Sequence, residues 1–242
     1  MTEAPVGARA RARADLTRQI KESARAQLGS DGAAGLSLRA VARDVGLVSS
    51  AVYRYYGSRD ELLTALIVDA YTSVADAAEQ AEREVRHTDL ERRFVALCHA
   101  MRTWALAHPH EYALIFGSPV PGYVAPTDTI DPAARIPLLL LGILADAAAE
   151  DGVVTPLPAP VPRSVHADLR ALRDAVAPAL DDGWLVRGIR TWAQIVGLIS
   201  FELFGHLHNV VTDYRAHFEL QMRVVAADLG LAGTAGRNHR SG

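Results

Sequence analysis

The chain has a single cysteine, Cys98, in 242 residues. No intramolecular disulfide can form. A thiol inside an apolar helical pattern reads as a small buried hydrophobe in a reducing compartment. Lysine is almost missing as well, with Lys21 standing against 24 arginines. Alanine is abundant, so the pattern points to a GC-rich coding sequence. The N-terminus lacks the run of roughly 7–15 apolar residues that a secretory signal needs, and a cytoplasmic protein is expected. There is no Gly-rich phosphate loop, no nucleophile elbow and no close carboxylate pair on one helical face. The nine histidines do not form a helical metal pair. His108/His110 and His206/His208 are i, i+2 neighbours, which diverge on a helix. An enzyme is therefore the disfavoured reading, and neither metal nor cofactor is expected. Strongly apolar stretches are few. Residues 136–149 are too short to span a bilayer, and 192–205 carries Gln194 and Glu202 with His206 nearby. Both are expected as buried core helices, with no membrane partner.

Charge is present but unevenly spread. Residues 1–60 carry a net +4 and the remainder a net −7. A basic N-terminal quarter on an acidic body suits a small polyanion-binding head.

Hydrophobic periodicity predicts an all-α chain of about nine or ten helices. Residues 1–13, rich in Ala and Arg, are expected as a disordered tail, and so are 233–242. The pattern Leu16, Ile20, Ala24, Leu28 marks a helix that stops at "GSDGAAG". Ser37 caps a second short helix whose apolar face is Leu38, Val41, Ala42 and Val45, and Gly46 ends it. A third is expected from Ser49 to Tyr56. "SRDELL" then supplies Ser58 as N-cap with Glu61 three residues on, a capping box for a long helix reaching about Arg86. Further helices are expected near 89–107, 110–116, 133–150, 164–179, 184–209 and 213–230. The boundaries implied are a helix-turn-helix domain at 14–60 and a helical body at 61–232.

"SLRAVARDVGLVSSAVYRYYG" (37–57) is helix, glycine turn, helix. In a helix-turn-helix unit the second helix enters the major groove of duplex DNA. Val48, Val52 and Tyr56 fall four apart and are expected to point inward. Ser49, Ser50, Tyr53 and Arg54 then face outward, with short donors for bases and longer ones for phosphates.

Residues 36–66, "LSLRAVARDVGLVSSAVYRYYGSRDELLTAL", resemble the DNA-binding domain of TetR-type transcriptional regulators. Ser37, Ala42, Gly46, the run 53–56 and "SRDEL" (58–62) occupy the pattern. Val48 replaces the usual Ser/Thr cap of the third helix, Tyr55 the usual His, and Arg59 the usual Lys. The resemblance implies that Ser49, Ser50 and Tyr53 lie nearest the bases. Arg39 would reach a base or phosphate, and Ser37, Tyr55 and Arg59 would hold phosphates. Arg11, Arg13 and Arg18 would extend onto the backbone or minor groove. Residues 191–207 are also similar to a subgroup with a Trp-x-x-x-His-Gly signature. Trp192 and Gly197 are present there, and Val196 stands at the histidine.

One head reads too few base pairs, so a homodimer on a palindromic double-stranded operator is expected. The last two helices are the candidates for its interface. Gly197, Phe201 and Gly205 fall on one face, Trp192 lies on the other, and Phe218 and Met222 belong to the final helix. The resemblance implies a four-helix bundle between protomers. Met101, Trp104, His108, Tyr112 and Phe116 are candidates to line a pocket for a small apolar effector, with core packing the alternative for each. The functional expectation is a repressor released from its operator by that effector. A ligand-independent regulator and an architectural DNA-binding protein are the other readings.

Overall fold

A computed structural model describes residues 4–150, 157 and 159–232. The expected C-terminal tail and residues 1–3 lie outside the described residues. Among the described residues there are ten α-helices, one 3-10 turn and no strand.

Helix α1, Ala4–Gly35, buries Ile20, Ala24 and Leu28 at successive i, i+4 positions and kinks at Gly32, where φ is 69°. The expected disordered tail is instead helical from Ala4. Alanine and arginine are among the strongest helix formers. Residues 7–15 are all exposed, so propensity and not burial carries this extension.

Helix α2 spans Leu38–Asp44, α3 Ser49–Val52 and α4 Arg59–Arg83. Helix α3 is shorter than expected. Beyond Val52 the chain tightens into i→i−3 bonds, from Arg54 N–H to the Ala51 carbonyl (3.2 Å) and from Tyr55 N–H to that of Val52 (2.8 Å). A 3-10 turn has three residues per turn and shifts the register of the residues after it. Val48 departs from its expected inward position. It is the extended N-cap residue of α3, 70% exposed, and no side chain caps that helix.

The remaining helices are α5 (Leu90–Ala107), α6 (Pro109–Phe116), α7 (Ile130–Ala149), α8 (Arg163–Val176), α9 (Asp182–Leu203) and α10 (Tyr214–Asp228). The chain forms two compact units. One joins the N-terminal residues through Thr72 with His108–Pro132; the other joins Ser73–Ala107 with the chain from Ala133 onward. The first has a continuous core that includes Ile20, Leu28, Val41, Val52, Leu62, Leu63 and Leu66. In the second, Leu90, Phe94, Leu97, Met101, Leu140, Ile143, Leu144, Ile195 and Ile199 are buried. Cys98 is buried there too, and burial pushes its thiol pKa well up.

Residues Thr127–Ala149, the 3-10 turn plus α7, are by length and composition the one described helix able to cross a membrane. The expectation of a buried core helix holds for one face only. Ile136, Leu140, Ile143, Leu144 and Ala147 are buried, while Leu138 and Gly142 on another face are exposed.

Candidate nucleic-acid interface

The reading head is built from local signals that can be followed residue by residue. Ser37 is extended (φ −135°, ψ 117°), and its Oγ accepts from the Ala40 N–H at 3.4 Å. The buried Gln27 of α1 holds α2 at both ends. Its Oε1 accepts from Ser37 N–H (3.1 Å), and its Nε2 donates to Asp44 (3.5 Å). At the other end of α2, Gly46 takes a left-handed φ of 71°. Gly46 N–H donates to the Arg43 carbonyl and Leu47 N–H to that of Ala42. This paired closure is the Schellman motif, and glycine fits it because no Cβ opposes positive φ.

The turn delivers α3 with Val52 fully buried and Tyr56 9% exposed. Burial raises the Tyr56 phenol pKa, and the nearby Asp69 carboxylate adds to the rise. Ser50, Tyr53 and Arg54 are exposed and Ser49 is half-buried. Ser50, Tyr53 and Arg54 therefore face outward as expected, Ser49 does so only in part, and Tyr56 is packing. Arg39, on α2, is exposed as well.

Two of the expected phosphate-holding arginines have other partners. Arg18 pairs with Asp15 (3.0 Å) and Glu22 (3.4 Å). Arg59 donates through Nη2 to the carbonyls of Ala33 (2.7 Å) and Ala34 (3.4 Å), capping the end of α1. Its Nη1 meets Asp60 at 3.2 Å. The expected capping box is also displaced by one residue. Ser58 Oγ accepts from Glu61 N–H (3.1 Å), but the Glu61 carboxylate reaches back to Gly57 N–H (2.8 Å).

Sequence reasoning missed an ion-pair tie inside the same unit. Arg25 of α1 binds Asp69 of α4 at 2.8 Å and Glu111 of α6 at 2.9 Å, while Lys21 shares Asp69 at 2.8 Å. Tyr71 donates to the Ile115 carbonyl (3.1 Å). These partners are 44 to 86 residues apart in the chain. No periodicity in the sequence announces them.

The effector candidates fall into two sets. Met101 and Trp104 are buried in the second unit, with Trp104 Nε1–H donating to Ser73 Oγ at 2.9 Å. In the first unit His108 is exposed and Tyr112 is buried. Phe116 packs against both Tyr112 (centroids 5.1 Å apart) and Tyr71 (5.9 Å, edge-on).

The expected dimer face needs correction. Phe218 and Met222 are buried in their own unit, where Phe218 lies edge-on to His99 and under Arg102. Gly205 lies beyond α9 with φ 78°, a turn residue and not part of a helix face. Phe201 is exposed, and Trp192 and Gly197 are half-buried. The exposed large apolar residues are Ile189, Phe201 and Phe204 around α9, and Leu220 and Val224 on α10. Leu220 and Val224 are spaced i, i+4, with the exposed Ala216 and Ala227 in line, a pattern readable in the sequence. In the same unit Arg102 of α5 holds Glu202 of α9 through two bonds of 2.7 and 2.5 Å.

A glycine-turned helix pair with an exposed Ser, Tyr and Arg surface, ahead of an all-helical body, defines a helix-turn-helix DNA-binding protein. Residues 20–66 match the family model of bacterial regulatory proteins of the tetR family, and 94–225 match the tetracyclin repressor-like C-terminal domain. The chain belongs to the TetR family and is a DNA-binding transcriptional regulator. Helix α7 is thus an element of the matched C-terminal domain. The HTH-type transcriptional regulators Rv1816 of Mycobacterium tuberculosis and Mb1846 of Mycobacterium bovis are each 42% identical over 227 residues. The match covers 93% of this chain and 96% of theirs. The crystal structure of SCO4313 is 34% identical with a TM-score of 0.72, covering 90% of this chain and 98% of that one.

Proposed function

We propose that the chain is a homodimeric repressor that binds a palindromic operator and is released by a small apolar effector. The observation that supports it most is the exposed set of Ser50, Tyr53 and Arg54 just past the Gly46 turn. Ser49, Ser50 and Tyr53 read base edges, while Arg39, Ser37 and Tyr55 hold flanking phosphates. Arg59 has a structural bond to the α1 carbonyls and turns its remaining donors to phosphate. The protein works in the cytoplasm and catalyses no reaction. Trp192 and Gly197 favour the subgroup with the Trp-His-Gly signature.

Dimerisation uses Ile189, Gly197, Phe201 and Phe204 together with Leu220 and Val224. The effector contacts His108, Tyr112 and Phe116 of the first unit. It favours one of two dimer states, and α4, which runs from the first unit into the second, transmits the choice.

Selection of bound duplexes from a random pool tests this reading. The expected product is a palindrome with half-sites about one helical turn, roughly 10 base pairs, apart. Weak binding with no enriched sequence would replace it with the architectural reading.

A further inference from the structure

Helix α6 has two faces, and the proposed effector contacts use only one. Tyr112 and Phe116 fall four apart on one side, where Phe116 packs on Tyr112 and Tyr71. His110, Ala113 and Leu114 fall on the other side. These three border a separate cleft of about 260 Å³, closed by the end of α1 and by the loop that follows α6. The described residues that line it all belong to the first unit. Leu28 of α1 is buried there, and Ala33, Leu114 and Val120 are half-buried. His110, Ser118 and Pro119 are the exposed members.

The chemistry of the cleft is narrow. Among the described residues that line it there is no carboxylate, lysine or arginine. The carbonyls of Ala33 and Ala34 already accept from Arg59. Two side chains keep hydrogen-bonding capacity, since His110 and Ser118 have no hydrogen-bond partner among the described residues. His110 is also placed. A Cβ on Gly29 would come within 3.1 Å of its ring, so the imidazole rests on the α1 backbone where glycine gives it room. A charged ligand would lose hydration here and find no counter-charge. A cavity of about 150 Å³ takes one benzene, so this cleft suits a single ring with a polar substituent.

We propose that the cleft is a second small-molecule site, taking a neutral one-ring compound with a hydroxyl or carbonyl oxygen. The ring lies against Leu28, Leu114 and Val120, and the oxygen meets the His110 imidazole. A neutral imidazole donates from one nitrogen and accepts at the other, so it serves either oxygen. The occupant joins the end of α1 to α6. The site stands independently of the proposed operator and of the effector contacts at Tyr112 and Phe116.

Phenol is the probe, neutral at pH 7 because phenols lose their proton near pH ~10. Titrated into the full chain with isotope-labelled alanine methyls, it should shift Ala33, Ala34 and Ala113 saturably by NMR. Ala24 and Ala70, buried elsewhere in the same unit, should stay in place. Benzoate, similar in size but charged, should shift none of them. Toluene lacks the hydroxyl and should bind about 3- to 10-fold more weakly than phenol. His110→Leu should bring phenol down to the toluene level and leave toluene no weaker. Ala113→Leu fills the cleft and should abolish the response to both. If that variant fails to fold, His110→Leu carries the test, because it changes an exposed residue. Benzoate binding as tightly as phenol, no saturable shift at the three methyls, or phenol affinity unchanged in His110→Leu overturns the assignment.

Discussion

His99, half-buried on α5, lies edge-on to Phe218 with ring centroids 5.5 Å apart. Burial is the main cause that lowers its pKa. Glu219 pulls it up, and Arg102, Arg215 and Arg223 push it down further. The folded protein therefore prefers neutral imidazole more than the unfolded chain does, whose His titrates near ~6.5. As pH drops from about 6.5 through the lower folded value, the unfolded chain takes the proton first and stability is lost. Thermal melts at pH 7.5 and 5.5 should show a smaller fall for His99→Gln than for the parent chain. An equal fall would place the acid sensitivity elsewhere. Arg59 makes a second case at this scale. Its two bonds to the carbonyls of Ala33 and Ala34 fasten the end of α1 to the start of α4. Arg59→Ala should cost about 1–2 kcal/mol of stability, read by denaturant unfolding, in addition to any loss of DNA affinity. Arg59→Lys should recover little of that stability, because one ammonium cannot hold the α1 carbonyls and Asp60 at once as the separate Nη2 and Nη1 of the planar fork do.

At the scale of elements, the turn between α2 and α3 is the joint on which the reading surface depends. A Cβ built on Gly46 meets nothing within 4 Å, so the cost of Gly46→Ala is the left-handed backbone alone. That cost is about 1–2 kcal/mol. The substitution should lower the melting temperature and weaken operator binding more than it weakens non-specific binding, since α3 alone would be re-aimed. Equal weakening on both duplexes would show that the turn contributes stability only. The turn is legible in the sequence because its signals are local: Ser37 and Gly46 act on backbone groups within four residues of themselves. What escapes sequence reading depends on distant partners. Nothing near Arg59 predicts that it will cap α1, and nothing near Gln27 predicts that it will hold both ends of α2. Val48 occupies a position that periodicity alone assigns to the core. The helix starts one residue later, and this leaves Val48 outside as an extended cap. The extension of α1 is hidden for another reason, since composition that looks like a tail is also composition that favours helix.

At the scale of the whole molecule, the question is what covers the outer faces of α9 and α10. Sequence reasoning points to these two helices, but it places Phe218 and Met222 on the outside and passes over Leu220 and Val224. An i, i+4 apolar stripe on each side of a helix looks the same from the chain, and only packing decides which side is inside. With Phe218 and Met222 in the core, the outer stripe of Leu220 and Val224 joins Ile189 and Phe204 as an exposed apolar surface. Gly197 of α9 also faces open space, since a methyl group there would meet no atom within 4 Å. A second copy packed on this surface would bury the aromatic and aliphatic side chains and lie close against Gly197. Phe204→Glu combined with Val224→Glu places two charges in that apolar contact and should give a monomer by sedimentation at micromolar concentration. Because both residues are exposed in the single chain, its melting curve should keep its cooperativity. Operator affinity should fall about 100-fold or more, the loss expected when two linked heads become independent, while affinity for one half-site on its own should stay as it was. A chain that remains dimeric with both substitutions would show that the two-fold axis passes through another surface.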